Sequence, residues 1–537
     1  MNRTVLGWLT LAGLCVVSSG CGGDDVGPVD AGSDAGGGDS GEVMADAGSD
    51  AGSLEALDCE VAIIGGGAGG LHTAFRLAPE MGDGVCLFER EAELGGRIHD
   101  VPRDPMDPES PRMGTGALRV MEGQTVLFDL ATELGITLQM PPTEGDLVNA
   151  RGGFAFGKEA LANRYPGLDL DPGGDTETAL YDVLRMGPNR AMVTSYPDFR
   201  SYIRATVGAP GYDFLRDMSR FRADFEYPLD ARGYLDYLDE EWDVCCTPSY
   251  PVGGMSEFIR GMQREATTDG ARIFVSEPVR TVDSDPMGGY SLTTGEHAVH
   301  ANRVVFAVPP IALEHMEGDV VDRIRARPEF QSIIAVEVVT VTQWWDSAWW
   351  REVHDPATPE SHLWRAWTTE HCVNFVEMPL HPYGVDQMVT RSVYDDDLSC
   401  VNFWQETYRA GGVEAVEAEI RRGLEHLFDG NGLTAPSSVD VPDPVRTHYQ
   451  YWPDAWHWIR AGADVTNQQV FDWAAIPLGE GEQVAMVGEA YHPRRSGWSD
   501  GAYKSSINLL NTRYGMSLST GGMAVRSGRS RWGQGGH

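Results

Sequence analysis

Gly65, Gly67 and Gly70 stand in GxGxxG spacing inside Cys59–Leu71, which reads CEVAIIGGGAGGL. The chemistry such a spacing serves is the cradling of a pyrophosphate. The first glycine permits a tight turn, the second lets main chain approach phosphate, and the third lets a helix pack closely on a strand. Ala68 would open that helix, whose amino terminus offers free N–H groups to an anion. Glu89, 19 residues past Gly70, closes the run Val85-Cys86-Leu87-Phe88, where a carboxylate would receive the adenosine ribose hydroxyls. NAD and FAD share this half-site, so these residues define a dinucleotide and leave its identity open.

The elements that must position these groups are legible around them. Glu60–Ile64 is a short β-rich run ending in glycines, and Leu71, Ala74, Phe75 and Ala78 recur at helical spacing. Strand, turn, helix and strand therefore follow in the order a nucleotide-binding βαβ unit requires.

After Glu89 the chain reads REAELGGRIHD, with Gly95, Gly96 and Arg97. An acidic strand end followed by a Gly-Gly-Arg turn resembles the flavin amine oxidase family, in which this segment closes over the FAD pyrophosphate. Further segments resemble the family in order: PVGGMSEF (Pro251–Phe258), SEPVRTVD with the Val279 backbone at adenine, ANRVVFAVPPIAL (Ala301–Leu313), and AMVGEAYHPRRSGWSDGAY near the carboxyl end. In that last segment the resemblance places Gly488 and Glu489 at the ribityl and phosphate region, and Gly497, Trp498, Gly501 and Ala502 along the isoalloxazine. It implies FAD as cofactor.

RMGTGALRVM (Arg112–Met121) resembles the Gly-Ala-Met-Arg segment of L-amino-acid oxidases, with Leu118 in the Met place. Gly116 and Ala117 are thereby assigned to the cofactor, and Arg119 to a substrate carboxylate, which a guanidinium fork matches with two parallel donors. Service to the flavin phosphate and a structural ion pair are the competing roles. The aromatic stretch HYQYWPDAWHWIRAG (His448–Gly462) corresponds to one wall of an aromatic cage over the flavin, with Trp498 supplying another. Trp456, His457 and Trp458 are the candidates within it. His457 is expected to orient substrate or accept a proton. Family members commonly hold a Lys, bridged by water to the flavin, in a stretch that here reads SIIAVEVVTVTQWW (Ser332–Trp345), with Ala335 near its place. The only lysines are Lys158 and Lys504, so a dehydrogenase using another electron acceptor competes with an oxidase using oxygen.

The resemblance implies an α/β fold. A discontinuous Rossmann-like FAD-binding domain is expected over 58–118, 250–335 and 476–514, with an inserted β-sheet substrate domain over 336–475 and a helical lid over 119–249. The expected reaction is hydride transfer from the CH–NH2 group of an amino acid or amine to FAD, giving an imine, then a keto acid and ammonia. Two alternatives stay open. One is a related flavin enzyme, such as a polyamine oxidase or a lipid desaturase or isomerase; the other is an anchored flavoprotein without turnover.

The formal charge of −39 repels nucleic acid and anionic lipid headgroups, so neither is an expected ligand. Met1-Asn2-Arg3, an apolar run from Val5 to Val17 and Ser18-Ser19-Gly20-Cys21 read as a secretory signal with a lipobox-like end, making Cys21 the acylated amino terminus. Export and a lipid anchor on a bacterial membrane follow as expectations. Residues 22–57 carry nine acids, no Lys or Arg, and DAGSDAG twice, the composition of a disordered spacer. The Gly/Ser/Arg-rich residues 515–537 are expected to be disordered as well. Six cysteines lie beyond the signal with no CxxC or Cys/His ligand spacing, so no metal site is expected. Outside the cytosol some of them can pair, Cys372 with Cys400 among the possibilities; the sequence leaves the pairing and the oligomeric state open.

Overall fold

A strand buried on both faces needs no alternation of polar and apolar residues, and Val61–Ile64 has none. In the computed structural model, which describes residues 54–107, 109–140, 145–168, 175–244, 248–353, 363–378, 388–428 and 440–519, this run is the centre of a largely parallel sheet. Strand Glu55–Ile64 lies between Val85–Phe88 and His297–Phe306, parallel to both. Arg272–Phe274 extends the sheet on one side and Val484–Met486 on the other, again in parallel. The hairpin strands Thr281–Ser284 and Tyr290–Thr293 add antiparallel pairs to the amino-terminal half of His297–Phe306.

The two-residue period of the strands divides the core. Val61, Ile63, Val85, Leu87 and Val305 face a layer containing Leu71, Phe75, Phe258 and Ile507, from helices Ala68–Met81, Ser256–Thr268 and Ser499–Tyr514. Ala62, Ile64, Phe88, Val304 and Phe306 face the opposite layer, with Leu313, Val321, Val470 and Trp473. Strands from three separated stretches thus share one pair of helical layers, as expected of the discontinuous domain.

A second sheet runs in the order Arg446–Ile459, Ile333–Trp344, Val389–Asp395, Phe375–Glu377, Arg365–Thr368, Asp146–Ala150 and Gly153–Phe156. Val336, Val338, Phe375 and Trp458 face helices Phe199–Met218 and Ala231–Val244. Val339, Val341, Val376 and Val393 face the helical segment Leu398–Leu427, which is broken at Gly411 and Gly412. This sheet too is covered on both sides.

The sheet and helices correct several expected boundaries. The hairpin Asp146–Phe156 belongs to the second sheet rather than to a purely helical lid, because Leu147 and Val148 bury into its two opposite cores. Its turn passes through Arg151 and Gly152, both at positive φ, and an arginine is an unusual residue for that conformation. Helix Thr125–Leu134 also leaves the lid: Val126, Leu127, Leu130 and Ala131 form an apolar stripe packed into the nucleotide domain. The first strand starts at Glu55, before the expected domain start at 58. Residues 515–519, expected as part of a disordered tail, dock through mutual hydrogen bonds of 2.8 Å between Asn511 and Leu518. Cys21 and its neighbours lie outside the described residues. Among the described residues no helix is long and apolar enough to cross a membrane.

Among the described residues there are two disulfides. Cys372 pairs with Cys400, and Cys59 pairs with Cys86 across adjacent strands of the nucleotide sheet. The second pairing was not legible, because only the βαβ register places those cysteines side by side.

Candidate active site

The glycines of the first turn act as their spacing requires. Gly65 has φ of 104° and its N–H donates to Phe88 O at 2.8 Å. A Cβ on Gly70 would lie 2.1 Å from Gly65 O and 2.7 Å from Ala307 Cβ, so only glycine lets helix Ala68–Met81 reach the sheet. That helix starts with no side-chain cap and no acidic residue in its first turn, leaving its N–H groups open to an anion. Glu89 accepts the Gly66 N–H at 2.7 Å through Oε2 and the Glu91 N–H at 3.0 Å through Oε1, which keeps a lone pair on each oxygen for a ribose.

The Gly-Gly-Arg turn closes on this loop. The Gly95 N–H donates to Gly66 O at 3.0 Å, and Gly96, at φ of 56°, approaches Gly67. Gly116 packs so tightly on this turn that a Cβ there would lie 2.0 Å from Arg97 O, and the Ala117 N–H donates to the same oxygen. From the other side, a Cβ on Gly69 would touch both Ala502 O and Gly488 N at 3.4 Å. Two helix amino termini, at Ala68 and Ser499, therefore converge beside Gly488, with Gly501 and Ala502 in the first turn of the second. The Val279 main chain, in the loop before Thr281–Ser284, has no hydrogen-bond partner among the described residues. An elongated dinucleotide with an anionic middle fits this groove, and Gly65, Gly67, Gly70, Glu89, Gly96 and Gly488 are the residues placed to hold it.

Glu489 has a different part from the one expected. Its Oε1 accepts the N–H groups of His457 (3.1 Å) and Gly497 (2.9 Å), and its Oε2 accepts His457 Nδ1 and Arg97 Nη1, both at 2.8 Å. Four donors fill the acceptor sites of one carboxylate, so this side chain ties protein to protein rather than to cofactor. Burial alone would raise its pKa, but His457 and Arg97 outweigh that and hold it near 2.

His457 is likewise committed. Its second ring nitrogen bonds Asp454 Oδ1 at 2.8 Å. Burial would lower its pKa, yet Asp454 and Glu489 raise it to about 9. An imidazolium with both N–H groups engaged cannot accept a proton, which corrects the role expected for it.

Arg119 also meets a carboxylate, but the protein's own. Its Nη1 lies 2.5 Å from Glu377 Oε1, while Arg391 Nη1 holds Glu377 Oε2 at 3.1 Å. Burial works against the charge of Arg119, and Glu377 outweighs it, holding the guanidinium above its usual range. The same balance, with Arg119 and Arg391 overcoming burial, keeps Glu377 ionised below the usual carboxylate range. Arg391 further donates to Gly114 O and Gly116 O at 3.2 and 3.0 Å. The cluster therefore braces the loop against the cofactor groove, and the expected substrate role of Arg119 gives way to the structural ion pair.

Strand Arg446–Ile459 sets the aromatic wall. Trp456 lies against Gly497, where a Cβ would touch it at 3.9 Å. It also stacks with Tyr394 at 6.1 Å and meets Phe221 edge-on at 5.9 Å. Trp458, two residues on, is buried between Tyr234 and Tyr237 in the helical layer and is a core residue there. Of the three candidates in this stretch, Trp456 is the one that lies beside Gly497, and Trp458, expected with it at the flavin, is not. Trp498 is half-buried at the N-cap of helix Ser499–Tyr514. Ala335 lies opposite His457 in the register. Lys158 and Lys504 are paired elsewhere, with Glu177 and Asp500.

Glu377, Arg391 and Asp454 were not singled out from the sequence. The signals were present: Glu377 is the one acid in NFVEMPL, and Asp454 stands three residues before His457.

Two covered sheets, an interrupted nucleotide domain and an aromatic wall at the end of its groove define a flavin-dependent oxidoreductase architecture. A family model described as flavin containing amine oxidoreductase matches residues 68–508, and the chain belongs to that family; its cofactor is FAD. A solved structure of putrescine oxidase bound to putrescine matches with a TM-score of 0.59 at 17% identity, covering 85% of this chain and 99% of that one. Cyclohexylamine oxidase from Brevibacterium oxydans IH-35A matches with a TM-score of 0.60 at 16% identity, covering 84% and 99%. At such identities the likeness is one of fold. No curated protein matches the chain.

Proposed function

We propose that this protein oxidises the CH–NH2 group of an amino acid or amine, and that it does so as an exported protein anchored through an acylated Cys21. The observation that carries the reaction is the placement of Trp456 against Gly497, at the end of a groove where two helix amino termini converge. Bound FAD supplies the two-electron acceptor. The apolar rings of Trp456, Tyr394 and Phe221 exclude water and hold a neutral amine with its C–H bond toward the groove. Loss of a hydride from carbon, with the nitrogen lone pair forming C=N and an N–H proton leaving, gives an imine. Water then hydrolyses it to a carbonyl compound and ammonia. The likeness in fold to a putrescine oxidase and a cyclohexylamine oxidase supports an amine-type reaction over the desaturase or isomerase alternatives.

The electron acceptor is either oxygen or another oxidant. Ala335 opposite His457, with both lysines paired elsewhere, favours a dehydrogenase. Two disulfides support export, since such bonds persist in oxidising compartments.

Anaerobic mixing with a panel of amines and amino acids tests the reaction: bleaching of the flavin absorbance by at least one is expected, and no bleaching by any overturns it. Peroxide formation compared with dye reduction then separates oxidase from dehydrogenase. Metabolic labelling with an alkyne fatty acid, expected in the parent and absent in Cys21→Ser, tests the anchor.

A further inference from the structure

Behind the Trp456 wall lies a group of charged side chains in which acids and bases are matched with one exception. Arg365 forks Asp146 at 2.8 and 2.9 Å, Lys158 pairs with Glu177, and Glu377 is shared by Arg119 and Arg391. Arg220, just past helix Phe199–Met218, has no hydrogen-bond or ion-pair partner among the described residues. Its guanidinium carbon sits 5.7 Å from the Phe221 ring and 5.9 Å from the Phe375 ring. Phe221 belongs to the wall, meeting Tyr394 and Trp456 edge-on at 5.7 and 5.9 Å, and Phe375, buried behind it, meets Tyr394 edge-on at 6.0 Å.

This is an unusual place to leave a cation. Burial, then the like charges of Arg365 and Arg119, push its pKa down to about 10, and Asp146 and Glu177 do not restore it because each already holds another base. A protein with 80 acidic residues against 41 basic ones has carboxylates to spare, yet among the described residues none forms an ion pair with this guanidinium. The half-buried Arg220 is held by aromatic faces, which orient a guanidinium without occupying its N–H donors.

We propose that Arg220 is the specificity-determining residue that receives the substrate's carboxylate, so that the substrate is an amine carrying a carboxylate, with its apolar portion along Phe221, Tyr394 and Trp456. This rests on the amine-oxidation reading above and narrows it. The planar fork donates two parallel hydrogen bonds to a carboxylate, and the aromatic faces keep water from competing. Arg119, by contrast, acts through Glu377 as a positioning residue.

The test uses the FAD-loaded protein and two variants, Arg220→Met and Arg220→Lys. Benzoate, a carboxylate with no oxidisable amine, is titrated while flavin absorbance and tryptophan fluorescence are followed. Benzoate binding is expected in the parent, weakened at least tenfold in Arg220→Met and partly recovered in Arg220→Lys, the size expected for loss of one buried charge-assisted pair. Equal binding by parent and Arg220→Met overturns the assignment, as does absence of binding in the parent. Paired substrates, each amino acid with its decarboxylated amine, then give the ratio of kcat/KM values. That ratio is expected to favour the amino acid in the parent and to fall roughly thirtyfold in Arg220→Met, mainly through KM. An unchanged ratio sinks the proposal while leaving amine oxidation intact. Flavin that no substrate bleaches sinks the reaction reading, while Arg220-dependent benzoate binding would still stand.

Discussion

His457 and Glu489 are 2.8 Å apart through Nδ1 and Oε2, and Asp454 holds the other ring nitrogen at the same distance. The imidazolium is thus a buried cross-link between a strand of the second sheet and the carboxyl-terminal cofactor segment.

Its stability contribution has a defined pH window. His457 is raised from 6.5 to about 9, so its contribution is full below 6.5 and is lost as pH rises through 9. Glu489 is lowered from 4.5 to about 2, so its contribution is full above 4.5 and is lost as pH falls toward 2. Thermal melting from pH 5 to 10 should show a decline above pH 7 that is absent in His457→Gln, with that variant destabilised by about 3–5 kcal/mol because buried Asp454 loses its cation and Glu489 keeps only Arg97. A parallel decline in both proteins would remove His457 as the cause.

Arg119 and Arg220 should separate stability from binding. Arg119→Met strands Glu377 between an apolar side chain and Arg391, and is expected to cost about 3–5 kcal/mol in a denaturant titration without substrate. Arg220→Met removes a cation with no carboxylate partner among the described residues, and should melt no lower than the parent. A large loss of stability in Arg220→Met would show that its ring contacts are structural.

The glycine cradle gives a sharp contrast. Gly70→Ala places a Cβ 2.1 Å from a main-chain oxygen that cannot move aside, so purified protein should carry less than about a tenth of the parent FAD content, a loss of ~1.4 kcal/mol or more. Gly145→Ala meets nothing within 4 Å and should retain full FAD, with stability changed by about 0.5 kcal/mol or less. Absorbance at the flavin band per protein measures both.

Reduction should act on the nucleotide domain directly. The Cys59–Cys86 and Cys372–Cys400 bonds span sequence separations of 27 and 28. Each restricts the unfolded chain by roughly 3–4 kcal/mol. Cys59→Ala with Cys86→Ala is expected to lower the melting temperature and FAD retention together; unchanged melting would place the constraint elsewhere.

Local chemistry was legible wherever function depends on chain neighbours. Gly65, Gly67, Gly70 and Glu89 form one strand–turn–helix–strand unit, so spacing alone located them, and the later segments with the Gly-Gly-Arg turn decided for FAD. The aromatic stretch was legible as a wall, but not which ring faces the groove. Strand alternation puts Trp456 and Trp458 on one face and His457 on the other, and only the packing of Tyr234 and Tyr237 over Trp458 leaves Trp456 at Gly497.

What the sequence by itself determined is the cofactor handle, because a pyrophosphate is bound by consecutive main-chain groups whose geometry short-range residue types dictate. What the tertiary structure decided is the charge ledger of the substrate side. Arg119 resembled a carboxylate receptor, but Glu377 lies 258 residues away in sequence and meets it only once the second sheet is assembled. Arg220 was not singled out from the sequence and is left without a carboxylate among the described residues by the same assembly. A charge pair depends on distance in space, and residue spacing along the chain carries little of that information.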